Sequence, residues 1–592
     1  MQLKKDDCIL ERVYIVEKIQ AAEALVNVLT DWGVDHIYGI PGSSTNSLMK
    51  ALKKNEDKIK YIQVRHEEGG ALAASVDAKL TGKIGVCFGS GGPGHTHLIN
   101  GMYDAKFDKV PMLVIAASTH SKNLTADYFQ EMDPIPLYTD VSVYNRMVLN
   151  PIELPRVIDQ AIRTAYRDRG VAVVHVPVDI GYTEIENTYT SSANAFEPTF
   201  PQHRQEDIHK ALELIKEAKR PVLFAGRGTH HAREELKAFS EKFKLPVILT
   251  FLGKGAMDDA HPNLMGQLGR LGSKPSMEAV EKTDLLIMIG AEYPFGRDYF
   301  DQSVKSIQVN IDPVALGKRL PSTLGIMGDS KAVMQDLIEL GEEMPETNWL
   351  KANQINRVNW LNWIHTLEDS NEYPMRPEPI MKALNLLADD DAIFIIDVGN
   401  NVILSSRELM FTGKQKHTTS GTFATMGIGL PGGIAAKLSY PEREVFTLSG
   451  DGAMAMMMQE LITQVKYKLP VINLVMANDS YGFIQVAQET ENNETFGVDL
   501  LEVDYAKFAE AMGAKGYTAR TYEEVYAAIE DSKKQDLPTV IDIKIANITH
   551  LPGHKLVLDS ENFSEESIEE FIAKFNVKEM PVLREILDSL ED

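Results

Sequence analysis

The feature that most constrains the fold is a strand–helix–strand pattern at residues 445–477. Residues 445–448 form a short apolar run, residues 454–466 carry apolar side chains at helical spacing, and residues 471–477 form a second apolar run. Two strands joined by one helix lie parallel, with a right-handed crossover between them. The sequence therefore predicts a parallel sheet in which both strands end at the same edge.

Polar residues follow both strands at that edge. Asp451, between Gly450 and Gly452, follows the first strand, and Asn478 follows the second. This edge binds ligands in open α/β sheets, and carboxylate and amide oxygens suit Mg²⁺. The backbone carbonyl of Ser480 would add a third ligand, and the flanking glycines would let a diphosphate approach the backbone. The alternative is two ordinary turns, but the spacing at two strand ends favours a metal–diphosphate site.

The same alternation of short apolar strands and helices runs along the whole chain, which at 592 residues is too long for one core. Polar, proline-containing stretches at 191–203 and 341–349 divide it. We expect an α/β protein with three domains, each a parallel β-sheet flanked by helices. The expected domains are residues 1–190, 191–345 and 346–550, followed by a helical tail at 551–592. The other predicted strands are 36–38, 61–64, 84–88, 112–116, 171–176, 221–225, 246–250, 285–289, 306–311, 392–398 and 539–545.

Charge and cysteine content exclude several classes of protein. The net charge of −25 argues against a nucleic-acid partner, because lysine and arginine neither dominate nor cluster. Cys8 and Cys87 are too few for a disulfide framework or a four-cysteine zinc site. The N-terminal segment has no long apolar core, and no stretch approaches 18 uninterrupted apolar residues. We therefore expect a cytoplasmic protein without a membrane helix.

Several motifs resemble those of one enzyme superfamily. Gly-Asp-Gly followed about 25 residues later by Asn resembles the thiamine diphosphate (ThDP) signature. Further motifs resemble the pyruvate oxidase branch of the ThDP enzymes; they are GVDHIYGIPGSSTNSLMKAL, VRHEEGGALAA, GVCFGSGGPGHTHLINGMYDAK, FATMGIGLPGGIAAK and NIDPVALGKR. The resemblance implies that Asp451, Asn478 and Ser480 hold Mg²⁺ and the diphosphate of ThDP.

In the first domain, the resemblance gives a role to the acids after predicted strand 61–64. Taken alone, Glu67 and Glu68 at the start of a helix would be explained by their favourable interaction with the helix dipole. The resemblance implies that Glu67 bonds to N1′ of the aminopyrimidine ring and so activates the cofactor. His66 would donate a proton or support that contact, and a packed core histidine is the alternative. Ser44 belongs to a loop that would lie near the cofactor.

Further pocket residues also follow from the resemblance. Met426 would be the bulky residue that holds ThDP bent, with an ordinary core methionine as the alternative, and Val398 would line the reaction pocket. Phe129 and Phe483 would lie between the cofactors or against the substrate, with packing in the core as the alternative, and Gln130 belongs to the same motif as Phe129. Several oxidases carry an acid where this chain has Ala487, so no role of that acid is carried over.

The middle segment resembles the FAD site of pyruvate oxidases. Its Gly-Arg-Gly at 226–228 follows a predicted strand but does not complete a dinucleotide fingerprint. A domain that binds FAD only structurally, or has lost it, is the alternative. The residues expected to bind FAD are Gly226, Gly228, Thr250, Lys254, Arg270, Asp312 and Asp329.

The resemblance implies a phosphate-dependent pyruvate oxidase reaction. Pyruvate, phosphate and O₂ would give acetyl phosphate, CO₂ and H₂O₂, with ThDP, Mg²⁺ and FAD as cofactors. The active site would join two subunits, so the protein would be at least a homodimer, with a homotetramer expected. The alternatives are a quinone-linked pyruvate dehydrogenase that makes acetate, an acetolactate synthase-type carboligase, and a non-catalytic cofactor-binding protein. The helix predicted at 564–575 has an acidic polar face, which argues against a membrane-surface helix.

Overall fold

The computed structural model describes residues 17–197 and 199–591, which form two compact units. The first unit comprises Lys83–Glu197 and the described chain up to Ser75. The second comprises Val76–Gly82 and the described residues after Glu197. Cys8 lies outside the described residues. The first unit contains one six-stranded parallel sheet and the second contains two, so the predicted fold class is confirmed.

The sheet of the first unit is covered by helices, and its four inner strands are buried along their whole length. Its spatial order is Lys60–Gln63, His36–Gly39, Gly85–Gly89, Met112–Ser118, Val171–Pro177, Ser142–Met147. The helices of this unit are Ala21–Asp31, Asn46–Lys54, the first part of Glu67–Thr81 up to Ser75, Pro93–Phe107, Pro134–Tyr138, Leu154–Asp168 and Val178–Tyr182. A short antiparallel pair, Lys18–Gln20 with Glu184–Glu186, completes the unit.

The first sheet of the second unit has the strand order of a dinucleotide-binding fold. Its spatial order is Leu264–Gln267, Val247–Leu249, Pro221–Ala225, Leu285–Ile289, Lys305–Asn310, Leu324–Met327. In chain order this is 3-2-1-4-5-6, which places a topological switch point between the first and fourth strands. The helices around it are Gln205–Glu217, Arg233–Phe243, Lys274–Lys282, Gly296–Tyr299 and Ser330–Leu340.

The other sheet of the second unit contains the two parallel strands predicted at 445–448 and 471–477. Its order is Lys416–Thr418, Ile393–Ile396, Val445–Gly450, Ile472–Ala477, Thr539–Lys544, Lys515–Ala519. The surrounding helices are Asn348–Glu368, Glu378–Leu387, Asn400–Arg407, Gly429–Ser439, Asp451–Met457, Leu461–Lys466, Gly482–Thr490, Tyr505–Ala511 and Tyr522–Ser532. The single helix predicted at 454–466 is wrong in detail: helix begins already at Asp451, and a 3₁₀ turn at Met458–Glu460 divides it.

The C-terminal tail contains two α-helices, Glu565–Phe575 and Leu583–Glu591. Helix Glu565–Phe575 packs its aromatic side chains, Phe571 and Phe575, against a cluster that contains Trp360 and Trp363. The last helix, Leu583–Glu591, is fastened by a buried ion pair between Lys274 and Glu278. Lys274 Nζ donates to the carbonyl of Pro581 at 2.8 Å, and Glu278 accepts the N–H of Leu583 at 2.9 Å.

None of the helices formed by residues 17–197 and 199–591 is both long and apolar enough to cross a membrane.

Candidate active site

The ends of strands Val445–Gly450 and Ile472–Ala477 are joined by a single carboxylate. The two strands pair in parallel register, with Gly450 opposite Met476. Asp451 Oδ1 accepts the N–H of Gly452 at 2.8 Å, and Oδ2 accepts the N–H of Asp479 at 2.7 Å. The carboxylate therefore bridges the two segments that carry the expected metal ligands.

Asn478 and Ser480 complete the expected ligand set. Asn478 Nδ2 donates to Asn547 Oδ1 at 2.9 Å, which leaves the amide oxygen for a cation. The Ser480 hydroxyl donates to Gln485 Oε1 at 2.9 Å, so a metal would meet Ser480 through its backbone oxygen. One carboxylate with neutral oxygens is a donor set that suits Mg²⁺.

The electrostatics of this edge also fit a cation. Asp451 is 6 % exposed, and burial raises the pKa of its carboxyl by disfavouring the charged form. Among the described residues, the one charged neighbour that perturbs this pKa is Asp479, which raises it further. A divalent cation would compensate both effects.

Glycines at this edge have distinct reasons to be glycine. A Cβ on Gly452 would lie 2.5 Å from the ring of Tyr481, and one on Gly482 would lie 2.6 Å from Asn400 Nδ2. Gly450 is not crowded in this way, since the nearest atom, Asn401 Nδ2, would lie at an ordinary contact distance of 3.8 Å from its Cβ. Gly452 is therefore required by packing, whereas Gly450 leaves room beside the backbone for a ligand.

A cavity of about 500 Å³ opens along this edge and extends to the first sheet of the second unit. It is walled by both sheets' carboxyl-end loops and is mostly apolar, as ligand pockets usually are. The predicted residues that line it are Thr250, Arg270, Val398, Met426, Gly450, Asp451, Gly452, Asn478, Ser480 and Phe483. One cavity thus gathers residues that the sequence assigned to two different cofactors.

Further lining residues were missed by the sequence reasoning. Glu292, Tyr293 and Phe295 follow strand Leu285–Ile289 at the switch point and line the cavity, as does His550. The position of the first three just past a strand end was a usable signal. His550 follows no strand directly, and its sequence context gave no such signal.

Gly226 and Gly228 close the switch point. A Cβ on Gly226 would lie 2.5 Å from the carbonyl oxygen of Gly290, and one on Gly228 would lie 2.8 Å from Gly290 Cα. The N–H groups of Gly226 and Gly228 donate to the carbonyls of Ile289 and Gly290. These glycines thus serve close backbone packing of the two central strands, and neither lines the cavity.

The remaining predicted residues of this sheet lie outside the cavity lining. Lys254 is buried, and its Nζ lies 2.8 Å from Asp259 Oδ2. Burial lowers the pKa of Lys254, and Asp259 opposes that shift. Asp312 accepts the N–H of Val314 at 3.0 Å as a helix cap. Asp329 caps helix Ser330–Leu340 and lies 2.7 Å from His231 Nε2.

The first unit carries the predicted activating acid. Glu67 opens helix Glu67–Thr81 just past strand Lys60–Gln63, and it is 6 % exposed. Its Oε2 lies 2.9 Å from His97 Nδ1, and the ring of His66 stacks on that of His97 with 4.3 Å between centroids. Glu68 instead accepts a bond from Asn100 Nδ2 at 2.6 Å. His97 was missed because 30 residues separate it from its partner.

A second group in the first unit surrounds the glycine-rich loop at 89–94. Ser44 Oγ accepts the N–H of Gly91 at 3.0 Å. Gly92 has φ +69° and lies so close to Gln130 that a Cβ would be 3.1 Å from Gln130 Cβ. Phe129 is 76 % exposed. Ser44 and Gln130 therefore lie at the same loop, and Phe129 is available to a ligand or another chain.

Comparison with known proteins identifies the family to which this architecture belongs. Three models of thiamine pyrophosphate (ThDP) enzymes match: the N-terminal TPP binding domain at residues 19–137, the central domain at 208–337 and the C-terminal TPP binding domain at 397–543. The chain therefore belongs to the ThDP-dependent enzymes.

Full-length relatives narrow this further. The chain is 41 % identical to a pyruvate oxidase of Lactiplantibacillus plantarum over 95 % of each protein. It is 39 % identical to a putative thiamine pyrophosphate-containing protein, YdaP, of Bacillus subtilis, over 96 % of this chain and 99 % of the relative. It is 30 % identical to an acetolactate synthase of Arthrospira platensis, over 90 % of this chain and 95 % of the relative. Within the superfamily, the chain falls in the pyruvate oxidase branch.

Proposed function

We propose that this enzyme is a phosphate-dependent pyruvate oxidase. It would convert pyruvate, phosphate, O₂ and one proton to acetyl phosphate, CO₂ and H₂O₂, with ThDP, Mg²⁺ and FAD as cofactors. The observation that carries the proposal is the shared cavity, in which the Asp451 edge and the switch-point loops of a dinucleotide-type sheet face the same space. The relative of 41 % identity with the printed name pyruvate oxidase supports this choice of reaction.

The residues of the cavity fit both organic cofactors. The uncrowded backbone at Gly450, next to a buried carboxylate whose pKa no basic side chain of the described residues lowers, suits a diphosphate with Mg²⁺. The guanidinium of Arg270 suits a diphosphate or the polar rim of a flavin, and Tyr293 and Phe295 provide aromatic surface. Asp312 and Asp329 follow strands Lys305–Asn310 and Leu324–Met327 and would serve the adenosine end.

This arrangement would give each cofactor and each group of residues a separate role. When bound, ThDP supplies a carbanion nucleophile and an electron sink, and FAD supplies a two-electron acceptor. Glu67 would bond to N1′ of the aminopyrimidine ring, His97 would orient the carboxyl through the 2.9 Å contact between its Nδ1 and Oε2, and His66 would support that histidine. Val398, Met426 and Phe483 would shape the pocket and exclude water from it.

Residues of the first unit would serve the substrate as well as the cofactor. Ser44 would keep the glycine-rich loop in place through its bond to Gly91. Phe129 and Gln130 would approach the substrate. We propose a homo-oligomer, at least a dimer and expected to be a tetramer, in which Glu67 of one copy serves the Asp451 edge of another. We expect it in the cytoplasm, without a nucleic-acid partner.

Product analysis tests the reaction. Purified protein should be yellow and, with ThDP, Mg²⁺, phosphate and pyruvate in air, should form H₂O₂ and acetyl phosphate in equal amounts. Omission of phosphate should abolish acetyl phosphate. Unchanged rate and product without phosphate would overturn the assignment. Dominant acetolactate would instead select the carboligase, and strong activation by a quinone with acetate as product would select the dehydrogenase.

One observation bears on the quinone-linked alternative. The aromatic side chains of the tail helix, Phe571 and Phe575, pack against the Trp360 cluster. A helix that inserts its apolar face into a membrane surface would have to leave that cluster. Oxygen is therefore the acceptor that we propose.

A further inference from the structure

Asp397 is a buried carboxylate that accepts three backbone hydrogen bonds. It follows strand Ile393–Ile396 and is 1 % exposed. Its Oδ1 accepts the N–H groups of Val398 at 2.8 Å and Gly427 at 2.9 Å, and its Oδ2 accepts that of Gly429 at 2.9 Å. The hydroxyl of Ser449 donates a longer bond, 3.4 Å, to Oδ2.

These bonds join two segments that are about 30 residues apart in sequence. One segment carries Val398 and the other carries Met426, and both of these side chains line the cavity. Asp397 itself does not line it. The backbone around Met426 is irregular, since Ala424 has φ +58° and Gly427 has φ +91°. Left-handed backbone of this kind needs support from its surroundings, and the Asp397 carboxylate provides it.

The chemistry of a carboxylate matters here. An ionised carboxylate only accepts hydrogen bonds, at two oxygens, whereas an amide would present a donor to one of the N–H groups. Burial raises the pKa of Asp397 to about 6, and the bonds from the N–H groups of Gly429, Val398 and Gly427 oppose that shift. Among the described residues, no charged group contributes to the shift. The backbone N–H groups are thus what keeps this charge stable in the interior.

We propose that Asp397 is a positioning residue that sets Met426 and Val398 against the thiazolium–pyrimidine part of ThDP, and so controls ThDP affinity without touching a reacting atom. The inference rests on the proposed binding of ThDP in this cavity. The carboxylate acts through the two segments that it joins: loss of one N–H bond releases either the Val398 or the Met426 side of the cavity.

The test compares ThDP binding by calorimetry, at saturating Mg²⁺, in wild type and Asp397→Asn. Loss of one charge-assisted bond should raise the Kd for ThDP about tenfold or more. The matched control is Asp159→Asn, which alters a buried carboxylate that bonds Trp32 and Ser192 in the other unit. Its Kd for ThDP should stay within about twofold of wild type, and flavin content should be unchanged in both variants.

A second variant disrupts the bond between Gly429 and Asp397 by a change at Gly429, the donor. A Cβ on Gly429 would lie 2.4 Å from Ser449 Oγ and 3.0 Å from Asp397 Oδ2. The double variant Gly429→Ala with Ser449→Gly removes the serine clash and displaces the N–H from an intact carboxylate. It should weaken ThDP binding as Asp397→Asn does, and it keeps the test decisive if the latter does not fold.

A double-mutant cycle with Met426→Ala identifies the route of the effect. If Asp397 acts through Met426, Asp397→Asn should weaken ThDP binding much less in the Met426→Ala background than in wild type. A wild-type Kd for ThDP retained in folded Asp397→Asn, or full additivity both in this cycle and in the same cycle with Val398→Ala, would overturn the inference alone. A wild-type protein that does not bind ThDP would overturn the proposed function and this inference with it.

Discussion

Asp451 Oδ2 accepts the backbone N–H of Asp479 at 2.7 Å, and this bond joins the two strand ends that carry the proposed metal ligands. The donor is the residue directly after Asn478, so the bond holds the amide ligand beside the carboxylate ligand. Asp451 therefore has two tasks, one in the local fold and one in cation binding. An isosteric change can separate them.

Asp451→Asn keeps the size of the side chain and one acceptor oxygen but removes the charge. We expect Mg²⁺-dependent ThDP affinity to fall by about 100-fold, because a neutral amide replaces the one carboxylate among the proposed protein ligands. Calorimetry with and without Mg²⁺ measures this. Asp479→Asn is the control: it keeps the N–H donor, and asparagine tolerates the φ of +53° at this position. Equal losses in both variants would contradict the assigned roles.

Glu67→Gln separates activation from binding. Since Glu67 is buried and bonded to His97, glutamine should fit there but cannot carry or share the proton. We expect kcat to fall at least about 100-fold, with ThDP affinity and melting temperature little changed. Glu68→Gln, whose partner is Asn100, should keep most of the activity. Near-wild-type turnover in Glu67→Gln would refute its role.

The central strands could be predicted from sequence, but five of the six edge strands could not. Residues 221–225 and 285–289 match the observed strands because they are continuous apolar runs between two layers of helices. Several edge strands are half exposed and lack such runs. The missed edge strands of the three main sheets are Ser142–Met147, Leu264–Gln267, Leu324–Met327, Lys416–Thr418 and Lys515–Ala519.

The same contrast holds for the site. Asp451 and Asn478 were predictable because strand ends of neighbouring parallel strands converge. His97 and Asp397 were not, because their contacts join segments about 30 residues apart. Lys254 illustrates the opposite difficulty: its motif resembles a flavin site, but its ammonium is engaged by Asp259 in the interior.

Lys254→Met tests which role Lys254 has. Removal of one partner leaves Asp259 buried without its cation, which typically costs about 3–5 kcal/mol. We expect a clear fall in melting temperature by calorimetry, with flavin content per folded protein unchanged. The exposed Lys237 offers the control Lys237→Met. Loss of flavin with wild-type stability would instead support the flavin contact that the motif predicts.

Acid should destabilise the second unit through its buried histidines. Burial lowers the pKa of His417 to about 3, and those of His230 and His550 to about 4. The unfolded chain takes up these protons below its pKa of about 6.5, so stability present above pH 6.5 is lost as pH falls toward 4, by at most about 3 kcal/mol per histidine. Asp397, with its pKa raised to about 6, opposes part of this loss.

Replacement of one of these histidines tests whether the buried histidines cause the predicted loss of stability at low pH. In wild type, His417 Nε2 lies 2.9 Å from the carbonyl of Phe251, which fits a neutral ring that donates there. His417→Gln keeps a donor without a titrating group. Denaturation at pH 7.5 and pH 5 should show a smaller pH-dependent loss in the variant, whatever its stability at pH 7.5. An unchanged difference would mean that His417 already binds its proton in the folded state.

Mixed oligomers test whether the active site joins two copies of the chain. Glu67→Gln and Asp451→Asn should each be inactive alone. If Glu67 of one copy serves Asp451 of another, random mixing of the two variants restores both wild-type groups in about one quarter of the sites. If both groups act within one copy, no site is restored. Co-expression with two affinity tags and measurement of H₂O₂ formation distinguishes these outcomes.

A reciprocal mixture guards against a stability artefact. Wild type mixed with the double variant Glu67→Gln, Asp451→Asn should retain about one quarter of the sites if they lie between copies, but about one half if they lie within one copy. If the sites lie between copies, the two mixtures therefore have equal activity. If the sites lie within one copy, the first mixture has none and the second has about one half of the wild-type activity. Because both contain the same substitutions in the same proportions, a general loss of stability would lower both equally and could not imitate either pattern.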